Sequence, residues 1–234
     1  MKKLKQTIFG ATPKVAVSVT DRESDRKIKS LPVDILELRV DSFRRLDPDY
    51  VKNVIALRRK IGPPLILTVR SKEEGGQKNI SDALKLRIFK DSISLVDVVD
   101  IELKSPILSE VRKIARKNKK LIIISWHNFR STPSDKVLEN ILSRAKRSGA
   151  DLVKVAVKAN KMGDVYRLMK FTVKNRSKNL ITISLGSIGS ISRLTFPAIG
   201  SLVTYAYIDK PSGPGQISLG KLLKLLRSYY PKKK

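Results

Sequence analysis

The stretch Ile35-Leu36-Glu37-Leu38-Arg39-Val40-Asp41 decides the fold. Read as a strand, it places Leu36, Leu38 and Val40 on one face and Glu37, Arg39 and Asp41 on the other. Central strands of an open doubly wound sheet are covered on both faces and run almost uniformly apolar. A charged face suits a strand that lines the inside of a closed barrel, where charges are costly unless paired or used. Working outward, short β-branched runs recur at 15–19, 35–40, 65–69, 96–103, 121–126, 152–157, 180–185 and 202–208. Amphipathic stretches between them predict helices over 49–60, 81–94, 106–117, 134–147, 162–174 and 216–228, with the more polar connection 21–30 left open.

Local signals agree with these boundaries. Pro48, Pro106 and Pro133 stand where a first-turn proline is tolerated. Ser81-Asp82 and Ser134-Asp135 offer capping oxygens, and Gly149 follows its helix as a C-cap would. Strands alternating with helices every roughly 20–30 residues indicate parallel βα units. No Gly-x-Gly-x-x-Gly follows the first strand, and no linker or composition break divides the chain. The expectation is an α/β protein, a single-domain TIM (β/α)8 barrel over residues 1–234, with an open doubly wound sheet as the alternative.

Composition narrows the chemistry. Hydrophobic residues make up 41% of the 234, enough for a full core. The absence of cysteine removes disulfides, thiol nucleophiles, thiolate metal sites and iron–sulfur clusters, and a single histidine argues against a multi-imidazole metal site. No apolar run approaches the ~18–20 residues of a membrane helix. The start, Met1-Lys2-Lys3-Leu4-Lys5-Gln6, is basic with no apolar segment behind it, so no signal peptide is expected and a cytoplasmic protein without a membrane partner is. Lys and Arg number 49 against 21 Asp and Glu, a formal charge of +28. That excess is spread over nearly every polar stretch, with short clusters at Arg58-Arg59-Lys60 and Lys232-Lys233-Lys234. Aromatics are 6% and do not interleave with it, so no specific nucleic-acid partner is predicted. The charge would instead draw anionic substrates to a site.

In a barrel the working residues lie at the C-terminal ends of strands and in the loops beyond. The third run ends at Arg70, followed by Ser71-Lys72-Glu73-Glu74-Gly75-Gly76. The fifth ends in Ser125-Trp126-His127-Asn128, which sets the only imidazole at a catalytic end with a pKa suited to acid–base work. A lone histidine is more often structural, and its placement is what tips the balance. The sixth, Ala150-Asp151-Leu152-Val153-Lys154-Val155-Ala156-Val157, carries Lys154 in mid-run. Burial there predicts a pKa drawn down toward neutrality and a free amine able to attack a carbonyl; the bland alternative is a lysine snorkelling to solvent. After the seventh run, Gly186-Ser187-Ile188-Gly189-Ser190-Ile191-Ser192-Arg193 offers a guanidinium fork for a carboxylate or phosphate. After the eighth, Ser212-Gly213-Pro214-Gly215-Gln216 forms a second loop, opening a helix whose N-terminal amides favour an anion. Together these residues suit imine chemistry on an anionic keto compound, with no metal and no nucleotide cofactor.

The constellation resembles the type I 3-dehydroquinate dehydratases of the shikimate pathway. The resemblance rests on Glu37-Leu38-Arg39-Val40-Asp41, Thr68-Val69-Arg70-Ser71 with Glu74-Gly75-Gly76, His127-Asn128-Phe129 and Val153-Lys154-Val155-Ala156. The Gly186-to-Arg193 loop and Pro214-Gly215-Gln216 complete it in order, over nearly the whole chain. It implies a TIM barrel and a hydro-lyase that converts 3-dehydroquinate to 3-dehydroshikimate without a cofactor, its partners being the small substrate and a second copy in a homodimer. It further implies that Lys154 forms an imine with the C3 ketone and that His127 moves the C2 proton and assists loss of the C1 hydroxyl. Glu74 would orient the histidine, and Arg193 would hold the substrate carboxylate beside Ser212 and Gln216. Glu37, Arg39 and Arg70 would contact the substrate hydroxyls and the imine region. Departures from the family's usual residues are Asn128 for Asp, Leu185 for Met, Trp126 for Tyr and Gly213 for Ala. A class I aldolase would share Lys154 without needing the Ser212 and Gln216 loop. A basic nucleic-acid-binding protein would use none of these residues chemically.

Overall fold

The structure is a computed structural model that describes Gln6, Ile8, Phe9 and residues 14–230. The Lys232-Lys233-Lys234 cluster, and the basic start apart from Gln6, lie outside the described residues. Nine parallel strands form one sheet: β1 (Lys14–Val19), β2 (Ile35–Arg39), β3 (Leu65–Thr68), β4 (Val98–Glu102), β5 (Leu121–Asn128), β6 (Leu152–Lys158), β7 (Leu180–Leu185), β8 (Val203–Tyr207) and the short β9 (Ile217–Ser218). Their order is β7-β6-β5-β4-β3-β2-β1-β8-β9. The sheet curls until β7 meets the segment leading into β8 at a single bridge, Leu180 to Ser201. Eight of the strands are those expected from the sequence, and the barrel is the architecture expected.

The helices are α1 (Asp25–Lys29), α2 (Pro48–Arg59), α3 (Asp82–Ser92), α4 (Leu108–Lys117), α5 (Asp135–Arg147), α6 (Met162–Lys174), α7 (Ser192–Thr195) and α8 (Leu219–Tyr229). The α2 helix begins as its sequence dictates, with Pro48 in the first turn and the Asp47 carboxylate accepting from the Tyr50 N–H at 2.9 Å. The Ser81 hydroxyl does the same for Leu84 at the start of α3. Three expected starts shift. Pro106 sits in a turn closed by the Leu108 N–H on the Ser105 carbonyl, where proline is favoured, and α4 begins only at Leu108. Pro133 precedes Ser134, which is extended (φ −63°, ψ 160°), so α5 begins at Asp135; Ser134 makes no side-chain capping bond. The last helix opens at Leu219 and not near Gln216, because Ile217 and Ser218 pair with Ala206 and Tyr207 of β8. The helix-terminus anion site expected beside Gln216 is therefore absent, a strand standing in its place. The polar connection 21–30 contains the one-turn α1, and α7 has no counterpart in the sequence-based expectation. Among the described residues no helix is long and apolar enough to cross a membrane.

Two apolar layers flank the strands. Leu36, Leu38, Val40 and their equivalents face outward and pack against Ile55, Ile88, Phe89, Leu138 and Leu168 of the helices. Each fully buried Leu or Ile of this kind stabilises the fold by ~1.5–3 kcal/mol. Inside, Ile35, Ile66, Val98, Leu121, Ile123, Leu152, Ile181 and Val203 form a dry floor with Ile8 and Phe9. One step further along most strands the inward positions change character, although β7 keeps Ile183. Glu37, Thr68, Asp100, Ser125, Lys154 and Tyr205 are all buried on top of that floor.

Candidate active site

Strand register sets the site. Lys154 on β6 lies level with Ser125 on β5, and His127 lies level with Ala156. His127 therefore stands one inward step nearer the barrel mouth than Lys154, on the neighbouring strand.

Lys154 Nζ donates to Glu37 Oε1 at 3.0 Å, Asp100 Oδ2 at 3.2 Å and the Tyr205 hydroxyl at 3.3 Å. It does not snorkel. Burial alone would lower its pKa, but Glu37, Tyr205 and Asp100 outweigh it and raise the value above the ordinary lysine. This corrects the sequence expectation of a neutral amine: at rest the group is an ammonium, because burial here comes with carboxylates. Those carboxylates are held in turn. Glu37 accepts from Ser18 Oγ at 2.7 Å and Thr68 Oγ1 at 3.1 Å. Asp100 accepts from Arg70 at 2.8 Å and from Ser125 Oγ at 2.6 Å. Burial pushes Asp100 up, and Arg70, Lys154 and His127 pull it well below the usual carboxylate range.

Arg70 is fully enclosed and also donates to Glu102 at 3.1 Å and Ser125 at 2.8 Å. The Glu74 Oε2 atom accepts from the His127 backbone N–H and contacts Nδ1, both at 2.9 Å. Burial, with Arg70 and Lys154 nearby, holds the imidazole well below its ordinary pKa. Burial likewise pushes the Glu74 carboxyl up, opposed by Arg70 and reinforced by Glu102, to about 7. The Nδ1 contact leaves Nε2 as the free nitrogen of a neutral ring.

At the mouth, Arg39 forks onto Asp41 at 2.9 and 2.8 Å. Asp41 is not the third inward residue of β2 but belongs to the 3-10 turn Val40–Ser42, from which it also accepts from the backbone of Arg70 and Gln77. Arg193 is buried, reaches the Tyr205 carbonyl at 3.5 Å, and keeps Nε without a partner among the described residues. Burial lowers its pKa to about 10, so it remains cationic at neutrality. Gln216 Oε1 accepts from the Ser212 N–H at 2.7 Å and hydroxyl at 3.1 Å, which folds that loop over the rim. Gly186 and Gly215 fasten the two rim loops together. The Gly186 N–H donates to the Pro214 carbonyl at 3.2 Å, and a Cβ on Gly215 would fall 2.0 Å from the Gly186 oxygen at a φ of +70°. Gly215→Ala should therefore separate the two loops, raising KM about tenfold and lowering the melting temperature, checked by steady-state kinetics and a melting curve.

Glu37, Arg39, Arg70, Glu74, His127, Lys154, Arg193, Ser212 and Gln216 all line one cavity. Every site residue singled out from the sequence is thus brought together. Sequence reasoning missed Asp100, Glu102 and Tyr205. The two acids alternate along Val98-Val99-Asp100-Ile101-Glu102 as Glu37 and Arg39 do on β2, and that alternation was a usable signal. Tyr205 carries no charge and gave none.

Comparison with known proteins agrees with this geometry. Residues 15–233 match the family described as type I 3-dehydroquinase. The 3-dehydroquinate dehydratase of Hydrogenobaculum sp. is 37% identical over 219 residues, covering 93% of this chain and 99% of that one. The crystal structure of the Aquifex aeolicus 3-dehydroquinate dehydratase superposes with a TM-score of 0.83 at 36% identity, over 94% of this chain and 100% of that one. The type I enzyme from Clostridium difficile, solved with covalently modified comenic acid, gives a TM-score of 0.86 at 33% identity over 93% and 92% of the two chains. Matched along almost its whole length in sequence and in fold, the chain belongs to the type I 3-dehydroquinase family.

Proposed function

We propose that this chain dehydrates 3-dehydroquinate to 3-dehydroshikimate through an imine on Lys154, with His127 moving the proton. The observation that carries this is the pair itself. An enclosed amine and a neutral imidazole occupy adjacent strands, one inward step apart, above a dry floor.

The steps follow from the charges. Lys154 must first give up a proton, and Glu37 Oε1 at 3.0 Å is an acceptor in direct contact. The amine attacks the C3 carbonyl, whose oxygen leaves as water, and a protonated imine forms. That imine carries the same single positive charge as the ammonium it replaces, so Glu37 and Asp100 stabilise both. His127 Nε2 takes the C2 proton, the electron pair moves into an enamine, and the C1 hydroxyl departs with that proton as water. Hydrolysis of the remaining conjugated imine frees the product and the amine. Arg193 lines the cavity and stays cationic, which suits the substrate carboxylate, and Ser212 and Gln216 close the rim over it. Arg70 commits its donors to Asp100, Glu102 and Ser125, so it serves the reaction by fixing Asp100.

A direct assay supports or removes this reading: the conjugated product absorbs in the ultraviolet where the substrate does not. Rising absorbance with purified protein and 3-dehydroquinate is the expected result, and none from folded protein would refute it. The pH profile is a second expected result. The base form needs Glu74 ionised so that Nδ1–H points to it and Nε2 stays free. With Glu74 raised to about 7, kcat/KM should fall as pH drops below about 7 and level off above it. Glu74→Gln should lower kcat/KM and erase that limb; a profile unchanged by the substitution would contradict the assignment.

A further inference from the structure

The seam between β7 and β8 lacks a ladder. Below, the Leu202 N–H still reaches the Leu180 carbonyl at 2.8 Å. Above that point, alternate residues of β7, Thr182 and Ser184, turn their backbone groups toward a strand that is not paired with them. Two serine hydroxyls take its place. Ser201 Oγ accepts from the Thr182 N–H at 3.0 Å and stands 3.4 Å from both the Thr182 and the Val203 carbonyls, either of which can take its proton. Ser192 Oγ accepts from the Ser184 N–H at 3.0 Å and donates to the Ser184 carbonyl at 3.2 Å. Each side chain imitates a strand partner, and both are buried.

The two differ in what they carry. Ser201 lies at the closed lower end. Ser192 opens α7, and the next residue is Arg193. The 3-10 turn before it lies flat on β7, where a Cβ on Gly189 would come within 2.5 Å of the Ser184 backbone. From the other side Thr204 Oγ1 of β8 donates to the Arg193 carbonyl at 2.7 Å. The α7 turn is thus a wedge in an open seam, held to β7 by Ser192 and to β8 by Thr204, with the guanidinium at its tip.

We propose that Ser192 is a positioning residue that acts through Arg193: by standing in for the missing strand it fixes where the guanidinium meets the substrate's carboxylate. This rests on Arg193 holding that carboxylate. A loosened wedge should weaken binding and spare the imine chemistry at Lys154, since the latter sits on other strands.

The test uses the full chain. Ser192→Ala should raise KM for 3-dehydroquinate about tenfold, keep kcat within about twofold, and still form the borohydride-trapped adduct at saturating substrate. Ser192→Thr, which keeps the hydroxyl, should restore KM. Ser201→Ala removes the corresponding contacts to β7 below, with one to Val203, and should lose comparable thermal stability with KM unchanged. Should Ser192→Ala fail to fold, Thr204→Val loosens the wedge from its other side and should raise KM in its place. An unchanged KM in Ser192→Ala, or in Thr204→Val where that variant stands in, overturns the proposal; so does an equal rise in Ser201→Ala. Failure of the enzymatic reading would show separately, as wild-type protein without dehydration.

Discussion

Lys154→Ala is expected to lower dehydration by a factor on the order of 10⁴ or more, because it removes the group that forms the covalent intermediate. No neighbour can substitute for it. The residues around Nζ are Glu37, Asp100 and Tyr205, none of which forms an imine. The substitution also leaves two enclosed carboxylates without their shared cation, and breaking a buried pair in this way costs about 3–5 kcal/mol. The sign with pH follows. Without Lys154, Glu37 loses the charge that chiefly holds its pKa down, while Asp100 keeps Arg70. The folded-state value of Glu37 then rises, so the variant's loss of stability relative to wild type grows as pH increases through that new value. Melting temperatures of wild type and variant should lie closest together at the acid end of the range and move apart as pH rises. Parallel curves would mean that the ammonium does not hold the pair.

His127→Ala is expected to lower kcat by about 10²–10⁴-fold, the usual contribution of a placed proton-transfer group. Here the covalent step should survive. Lys154 has its own acceptor in Glu37 and does not contact the ring for its charge state. The variant should therefore still bind substrate and accumulate imine while failing to remove the C2 proton. Rate measurement with parallel adduct trapping separates the two steps. Full activity in the variant would remove His127 from the mechanism, and loss of the adduct would reassign it to imine formation.

The barrel was legible in the sequence because its interior carries charge. On β2 the alternation of Glu37 and Arg39 with Leu36 and Leu38 corresponds to the observed division between the inner cavity and the helix-covered outer face. The same logic located Lys154 and His127 and, through the resemblance, their companions. Two things were not legible. The protonation state of Lys154 depends on which side chains face it across the barrel, and Asp100 and Tyr205 arrive from β4 and β8, far away in sequence. The open seam was hidden as well, since a continuous strand and one partnered by serine hydroxyls share the same β-branched run. Only the register shows that β8 leaves Ser184 to Ser192.

Covalent attachment of substrate to Lys154 is the step on which the reaction depends. The most direct measurement is the intact mass of the protein after incubation with 3-dehydroquinate and borohydride, beside Lys154→Ala treated identically. One reduced ligand adduct is expected on the wild type, mapped to Lys154 by peptide analysis, and none on the variant. An unmodified wild-type protein that is folded, or an equal adduct on Lys154→Ala, would contradict it.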